Sequence, residues 1–296
     1  MRNAISGDKD FIMKIDKSMF SGCIHSTFNR TFNIKCLEDG ELYTIACRKI
    51  DNAPNTLIID TDDITSLEIE VNDKVFVNKK IIYIEDKLAL TMEKATKWES
   101  VLPVYPCNVE VLYRSVIKMK DYINIHGVGG GVKKCRITRS PFEEATSNML
   151  QQKTYLLLDE LLNGRISSAV RYAESLVGLG PGLTPSGDDF LTGLFTVMNM
   201  ENSPFYKYRP FCESVLNNAK KLTNDISYMA LKKASIGKVR ESIISLLSVL
   251  LVENDEDLIL SLNKILNIGS SSGTDIALGI ALGLETTIRA GGKVVC

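Results

Sequence analysis

Histidine is nearly absent: His25 and His126 are the only two in 296 residues. A histidine-rich metal centre has no material here, and a Ser-His-Asp nucleophile has little. The seven cysteines (Cys23, Cys36, Cys47, Cys107, Cys135, Cys212 and Cys296) show no Cys-x-x-Cys spacing. Their odd number and scatter argue against a disulfide framework and against a zinc site. Net charge is −1, so the broad field of a general nucleic-acid or membrane-surface binder is missing. The basic cluster of Lys133 and Lys134 with Arg136 and Arg139 is short and reads as a solvated segment. No run of about 18 uncharged apolar residues occurs, so no spanning helix is expected. Residues 1–20 are charged throughout and lack an apolar signal core, and the expected location is the cytoplasm.

What the chain does hold is a concentrated glycine motif. Residues 178–189 read Gly-Leu-Gly-Pro-Gly-Leu-Thr-Pro-Ser-Gly-Asp-Asp and run into the apolar stretch from Phe190 to Met200. Three glycines and two prolines in the first eight positions preclude a regular element, and the apolar stretch reads as a helix. Ser186 suits the N-cap, with Asp189 closing a variant of the capping box. A glycine-rich turn feeding a helix aims free N–H groups and the positive end of the helix dipole at one point, a geometry that holds an anion.

The pattern recurs. Ser272-Gly273-Thr274-Asp275 precedes Ile276-Ala277-Leu278-Gly279, as Ser186-Gly187-Asp188-Asp189 precedes Phe190-Leu191-Thr192-Gly193. Serine and the last glycine lie seven residues apart, about two helical turns, so both share one face that a neighbouring backbone can approach. Two readings stand: two helix starts facing one pocket, or two ordinary capped helices whose glycines serve packing.

Residues 20–93 carry successive short strand patterns, including 27–36, 42–47, 56–60, 74–77, 81–85 and 88–91. These suggest a small barrel or sandwich. From about residue 109 the period becomes helical, over 109–123, 141–162, 166–177, 188–200, 204–221, 225–235, 239–251, 255–266 and 274–289. The expected fold is α+β: a β-rich domain over 1–105, then an all-α domain over 106–296 that carries the glycine motif.

Asp188, Asp189 and Asp275 fall in the first turns of their helices, where acidic residues are favoured as caps. Three carboxylates would repel an anion. Either some face away as caps, or Mg²⁺, held by Asp189 and Asp275, bridges carboxylate and phosphate. Thr184, Ser186, Ser271, Ser272 and Thr274 offer hydroxyls to the same place. His25, within Gly22-Cys23-Ile24-His25-Ser26, could act as acid or base, or be a hydrogen-bonded structural histidine. His126 precedes a second glycine cluster, Gly127-Val128-Gly129-Gly130-Gly131. It lacks the ending of a phosphate-binding P-loop and reads as a flexible loop or lid. Residues 223–227 form another polar helix start, explained by capping or by delivery of Asn224 or Ser227 to the pocket.

The motif over 178–193 resembles the signature of the AllH-type family, long catalogued as of unknown function with a guess of carboxylase. One branch is assigned as a subunit of oxamate carbamoyltransferase, in anaerobic allantoin breakdown. Three further stretches resemble the family in order: Ile24-His25-Ser26, the 223–227 helix start with Ala234 and Gly237, and Gly269-x-Ser271-Ser272-Gly273-Thr274-Asp275. The resemblance implies a complex of several different subunits acting on oxamate or oxalurate with carbamoyl phosphate or phosphate. In that reading Gly180, Gly182, Gly187 and Gly273 donate backbone N–H groups, and Ser186, Thr184, Ser272 and Thr274 orient the ligand. Asp188, Asp189 or Asp275 hold a metal or the acceptor's amino group. The rivals are a non-catalytic assembly subunit and an ATP-dependent carboxylase or ligase component.

Overall fold

Short apolar runs in the first hundred residues pair into a closed barrel. In the computed structural model, which describes residues 1–135 and 140–291, the chain divides into two units, residues 1–100 and 101–296. The first contains β1 (Arg2–Asp8), α1 (Lys9–Lys17), β2 (Phe20–Thr27), β3 (Thr31–Cys36), β4 (Leu42–Cys47), β5 (Thr56–Ile59), β6 (Lys74–Asn78), β7 (Ile81–Ile84), β8 (Leu88–Thr91) and β9 (Thr96–Trp98). Their order is β5-β4-β3-β2-β6-β7-β8-β1-β9, and β1 also pairs antiparallel with β5. That contact closes an eight-stranded barrel and removes the free edges of an open sheet. β9 extends the β8 side of β1, where Ser6–Asp8 runs parallel to Thr96–Trp98.

Two details differ from the strand pattern in the sequence. The run 27–36 is not one strand: the chain turns through Phe28, Asn29 and Arg30, and β3 folds back antiparallel on β2. Residues 1–20 are structured, with α1 burying Phe11, Ile12 and Ile15 in the barrel core while its lysines stay at the surface.

The second unit contains α2 (Glu110–His126), α3 (Pro141–Leu162), α4 (Ile166–Glu174), α5 (Ser186–Met198), α6 (Pro210–Leu222), α7 (Asp225–Ala234), α8 (Glu241–Leu250), α9 (Asp255–Leu266) and α10 (Ser272–Ala290). Every residue of α5 is buried, which marks it as the central helix of this unit. It packs against α10 and α7, and α10 in turn contacts α2, α3 and α9.

The α5–α10 contact follows from two glycines. A Cβ at Gly193 would come within 2.2 Å of the Ile276 carbonyl oxygen, and one at Gly279 within 2.1 Å of the Phe190 carbonyl oxygen. Each glycine therefore sits on the carbonyl three residues before the other. This reciprocity is a local two-fold relation between the helices, and it brings their N-termini to one place.

Candidate functional site

Both helix openings are built alike. Gly187 and Gly273, second residues of α5 and α10, press against the ends of the preceding helices. An added Cβ would meet the Leu176 carbonyl oxygen at 1.9 Å in the first case and that of Ile265 at 1.9 Å in the second. Their amides are consumed locally: Gly187 donates to the Leu179 carbonyl and Gly273 to that of Ile268, both at 2.9 Å. These two are thus not the free donors the sequence suggested; close packing uses them. Among the described residues the amides of Gly180, Gly182 and Ser186 have no backbone acceptor. Ser186 is also not the N-cap: Pro185 holds that position, and its carbonyl accepts from the amides of Asp188 and Asp189. In α10 the N-cap is Ser271.

The openings face each other. Thr184 Oγ1 lies 2.8 Å from Ser272 Oγ and donates to Asp189 Oδ2 at 3.1 Å. Across the contact, Ser186 stands beside the carboxylate of Asp275, and the Ser272 hydroxyl beside that of Asp189. Each acidic fourth residue thus meets the first serine of the other helix. Ser186 Oγ and Asp275 Oδ2 are buried, and neither has a partner of normal hydrogen-bond geometry. Ser271 and Ser272 are half-buried, whereas Gly182 and Leu183 lie at the surface beside the pair.

Burial dominates the electrostatics. It pushes the Asp189 carboxyl up to about 7, helped by the Asp275 charge and opposed by the hydroxyls of Ser272 and Thr184. It lifts Asp275 to about 7 against the Ser186 hydroxyl and the Val132 N–H. Carboxyls raised this far carry less negative charge near neutral pH, which eases the repulsion that three ionised aspartates would exert on an anion.

Asp188 points elsewhere. Its carboxylate accepts from the Gly178 amide at 2.8 Å, from Ser227 Oγ at 2.7 Å and from Thr223 Oγ1, tying the glycine turn to α7. Burial still raises its pKa. Asn224 is the N-cap of α7, and its side-chain amide donates to the Leu183 carbonyl at 2.6 Å. Residues 223–227 therefore clamp the motif rather than line it. Among the described residues no three His, Cys, Asp or Glu side chains gather as metal ligands. Were Mg²⁺ to bind, Asp189 and Asp275 would be the carboxylates available to it beside substrate oxygens.

The second glycine cluster completes the site, which sequence reasoning missed. The Val132 amide donates to Asp275 Oδ1 at 2.8 Å, and the Val128 amide donates to Thr274 Oγ1 at 2.9 Å. A Cβ on Gly131 would lie 2.2 Å from Asp275 Oδ2 and 2.6 Å from Ser186 Oγ. Only glycine fits between those two groups. Ser147 of α3 fixes the segment through the Gly131 carbonyl at 2.7 Å, so it is a seated wall and not a loose loop. The signal lay in the bare run of glycines, whose close neighbour is more than 140 residues away.

Lys133 is not simply solvated. Its ammonium donates to the carbonyls of Ile123, Asn124 and Gly127 at the end of α2, at 2.6–2.9 Å. Arg136, Arg139 and Cys296 lie outside the described residues. His25 belongs to β2 of the first unit, where its Nδ1 is 3.1 Å from Ser26 Oγ.

No helix among the described residues is long and apolar enough to cross a membrane. In comparisons with known proteins, the family described as oxamate carbamoyltransferase subunit AllH matches residues 176–284, a span containing both openings. The AllH family N-terminal domain matches residues 3–97, the barrel. No solved structure matches the chain.

Proposed function

The chain belongs to the AllH family, and from that premise we propose that it serves an oxamate carbamoyltransferase by holding the substrate anion between the α5 and α10 openings. The family name describes a subunit, so the working enzyme contains further chains. The observation that carries the reading is that Ser186 Oγ and Asp275 Oδ2 stand side by side without a hydrogen bond of normal geometry, buried where two helix N-termini converge. Buried polar groups without partners are rare in folded proteins.

In carbamoyl transfer to oxamate, the acceptor amide nitrogen bonds to the carbamoyl carbon, the carbon–oxygen bond to phosphate breaks, and one nitrogen proton leaves. Oxalurate and phosphate are the products. A carboxylate titrating at about 7 suits that proton, which assigns Asp189 or Asp275 as general base. The amides of Gly180, Gly182 and Ser186 would steady the oxyanion of the tetrahedral centre, where each donor is typically worth about 3 to 4 kcal/mol. Thr184, Ser271 and Ser272 would orient the ligand at the half-buried mouth.

A second reading, a subunit whose motif serves assembly alone, draws support from the internal use of the Gly187 and Gly273 amides. Thermal unfolding of the chain separates the two. Millimolar phosphate, carbamoyl phosphate or oxamate should raise the Tm of wild type, and Ser186→Ala/Ser272→Ala should abolish the shift. In the reconstituted complex Asp189→Asn should lower kcat at least a hundredfold. Absence of any shift, together with wild-type turnover by Asp189→Asn, favours the assembly role.

A further inference from the structure

A second feature of the helical unit shares Val132 with the wall on Asp275 but is not lined by the paired aspartates. Between α2, α3 and α10 runs a cleft of about 590 Å³, within the usual range of small-molecule pockets. Neither Ser186, Asp189, Ser272 nor Asp275 lines it. Its walls are apolar, because Leu158 and Leu162 of α3 and Leu278 and Leu282 of α10 remain only half-buried there.

Its charges are unbalanced. The two lining carboxylates are already neutralised, Glu285 by Lys120 at 2.7 Å and Asp159 by Arg165 at 2.9 Å. Lys133 is committed to the carbonyls that end α2. Among the described residues, Lys134 and Arg289, both exposed at the rim, are left without a further lining carboxylate to offset them. In the wall, Thr154 is 3% exposed, and its hydroxyl has no hydrogen-bond partner among the described residues. A hydroxyl in a helix interior normally finds one.

We propose that this cleft is a second ligand site, for a small amphipathic anion whose apolar body lies along the four leucines and whose carboxylate, sulfonate or phosphate meets Lys134 and Arg289. A purely polar anion would leave the leucine wall wet, and a neutral apolar molecule would leave both cations unused. The Thr154 hydroxyl, after rotation about χ1, is the polar anchor inside the wall.

The test uses the full chain and 8-anilinonaphthalene-1-sulfonate, followed by fluorescence and by calorimetry. Saturable binding at one molecule per chain is expected, weakened at least tenfold in Lys134→Glu/Arg289→Glu, whose positions are exposed and leave the core intact. Leu282→Trp should fill the cleft and abolish binding, with circular dichroism as the folding control. Octanoate should displace the dye at a concentration at least tenfold below that required of 1-octanol. Non-saturable or multi-site binding, unchanged affinity in the charge-reversed variant, or equal displacement by octanol would each overturn the assignment.

Discussion

The openings of α5 and α10 are near copies that are held in place by different means. In both, the second helical residue is a glycine wedged on a carbonyl, the fourth is a buried aspartate, and the eighth is a glycine at the helix crossing. They part at the third residue. Asp188 gathers Gly178, Thr223 and Ser227, while Thr274 accepts a single amide from Val128 of the glycine wall. The symmetric positions bring Asp189 and Asp275 together; the asymmetric ones anchor each opening to its own neighbour. A duplicated local motif can thus bring two helix openings together without its surroundings being symmetric. The family match spans both copies.

The symmetry is most severely tested at the crossing. Gly193→Val and Gly279→Val should cost similar amounts, about 3 kcal/mol or more, because each Cβ runs into backbone that cannot rotate away. Urea unfolding measures both, and a large cost at only one position would break the two-fold relation.

The asymmetry predicts unequal costs at the third position. Asp188→Ala leaves three donors without their acceptor and should cost about 3 kcal/mol, against about 1 kcal/mol for Thr274→Ala, which leaves one. Equal losses in the same unfolding assay would mean that the clamp on α7 contributes nothing extra.

The matched pair has a pH signature. Folded Asp189 and Asp275 keep protons to about pH 7, whereas carboxyls in the unfolded chain release them near 3.8. The folded state thus binds more protons through that window, and stability falls as pH rises from about 4 to about 7. Asp189→Asn removes one ionisation, so it should be more stable than wild type at pH 8, by on the order of 2 kcal/mol, and nearly equal to it only at about pH 3.5, below the unfolded value. A constant difference at both values would show that Asp189 titrates normally. The smallest expected effect is from metal removal. With both carboxyls raised to about 7, EDTA should leave phosphate affinity unchanged, and a marked loss would make Mg²⁺ the partner of these carboxylates instead.

What could be read from the chain was local. Residues 178–193 and 272–279 specify both helix starts, since a glycine turn, an aspartate and a packing glycine act within two turns of one another. The barrel strands were legible for the same reason, through short apolar runs such as Lys74–Asn78 and Ile81–Ile84 joined by a turn. α1 was hidden because Lys9, Asp10, Lys14, Asp16 and Lys17 dilute the buried stripe of Phe11, Ile12 and Ile15. The seating of Gly131 and Val132 on Asp275, and the turn of Asp188 toward α7, depend on contacts remote in sequence that no local pattern encodes.

Calorimetry of phosphate or oxamate binding at pH 7.5, in two buffers of different ionisation enthalpy, tests the central claim most directly. An anion seated between two aspartates that titrate at about 7 must raise their proton affinity further. Uptake of up to about one proton per anion bound is therefore expected. Binding without proton uptake, or no binding at all, would contradict it.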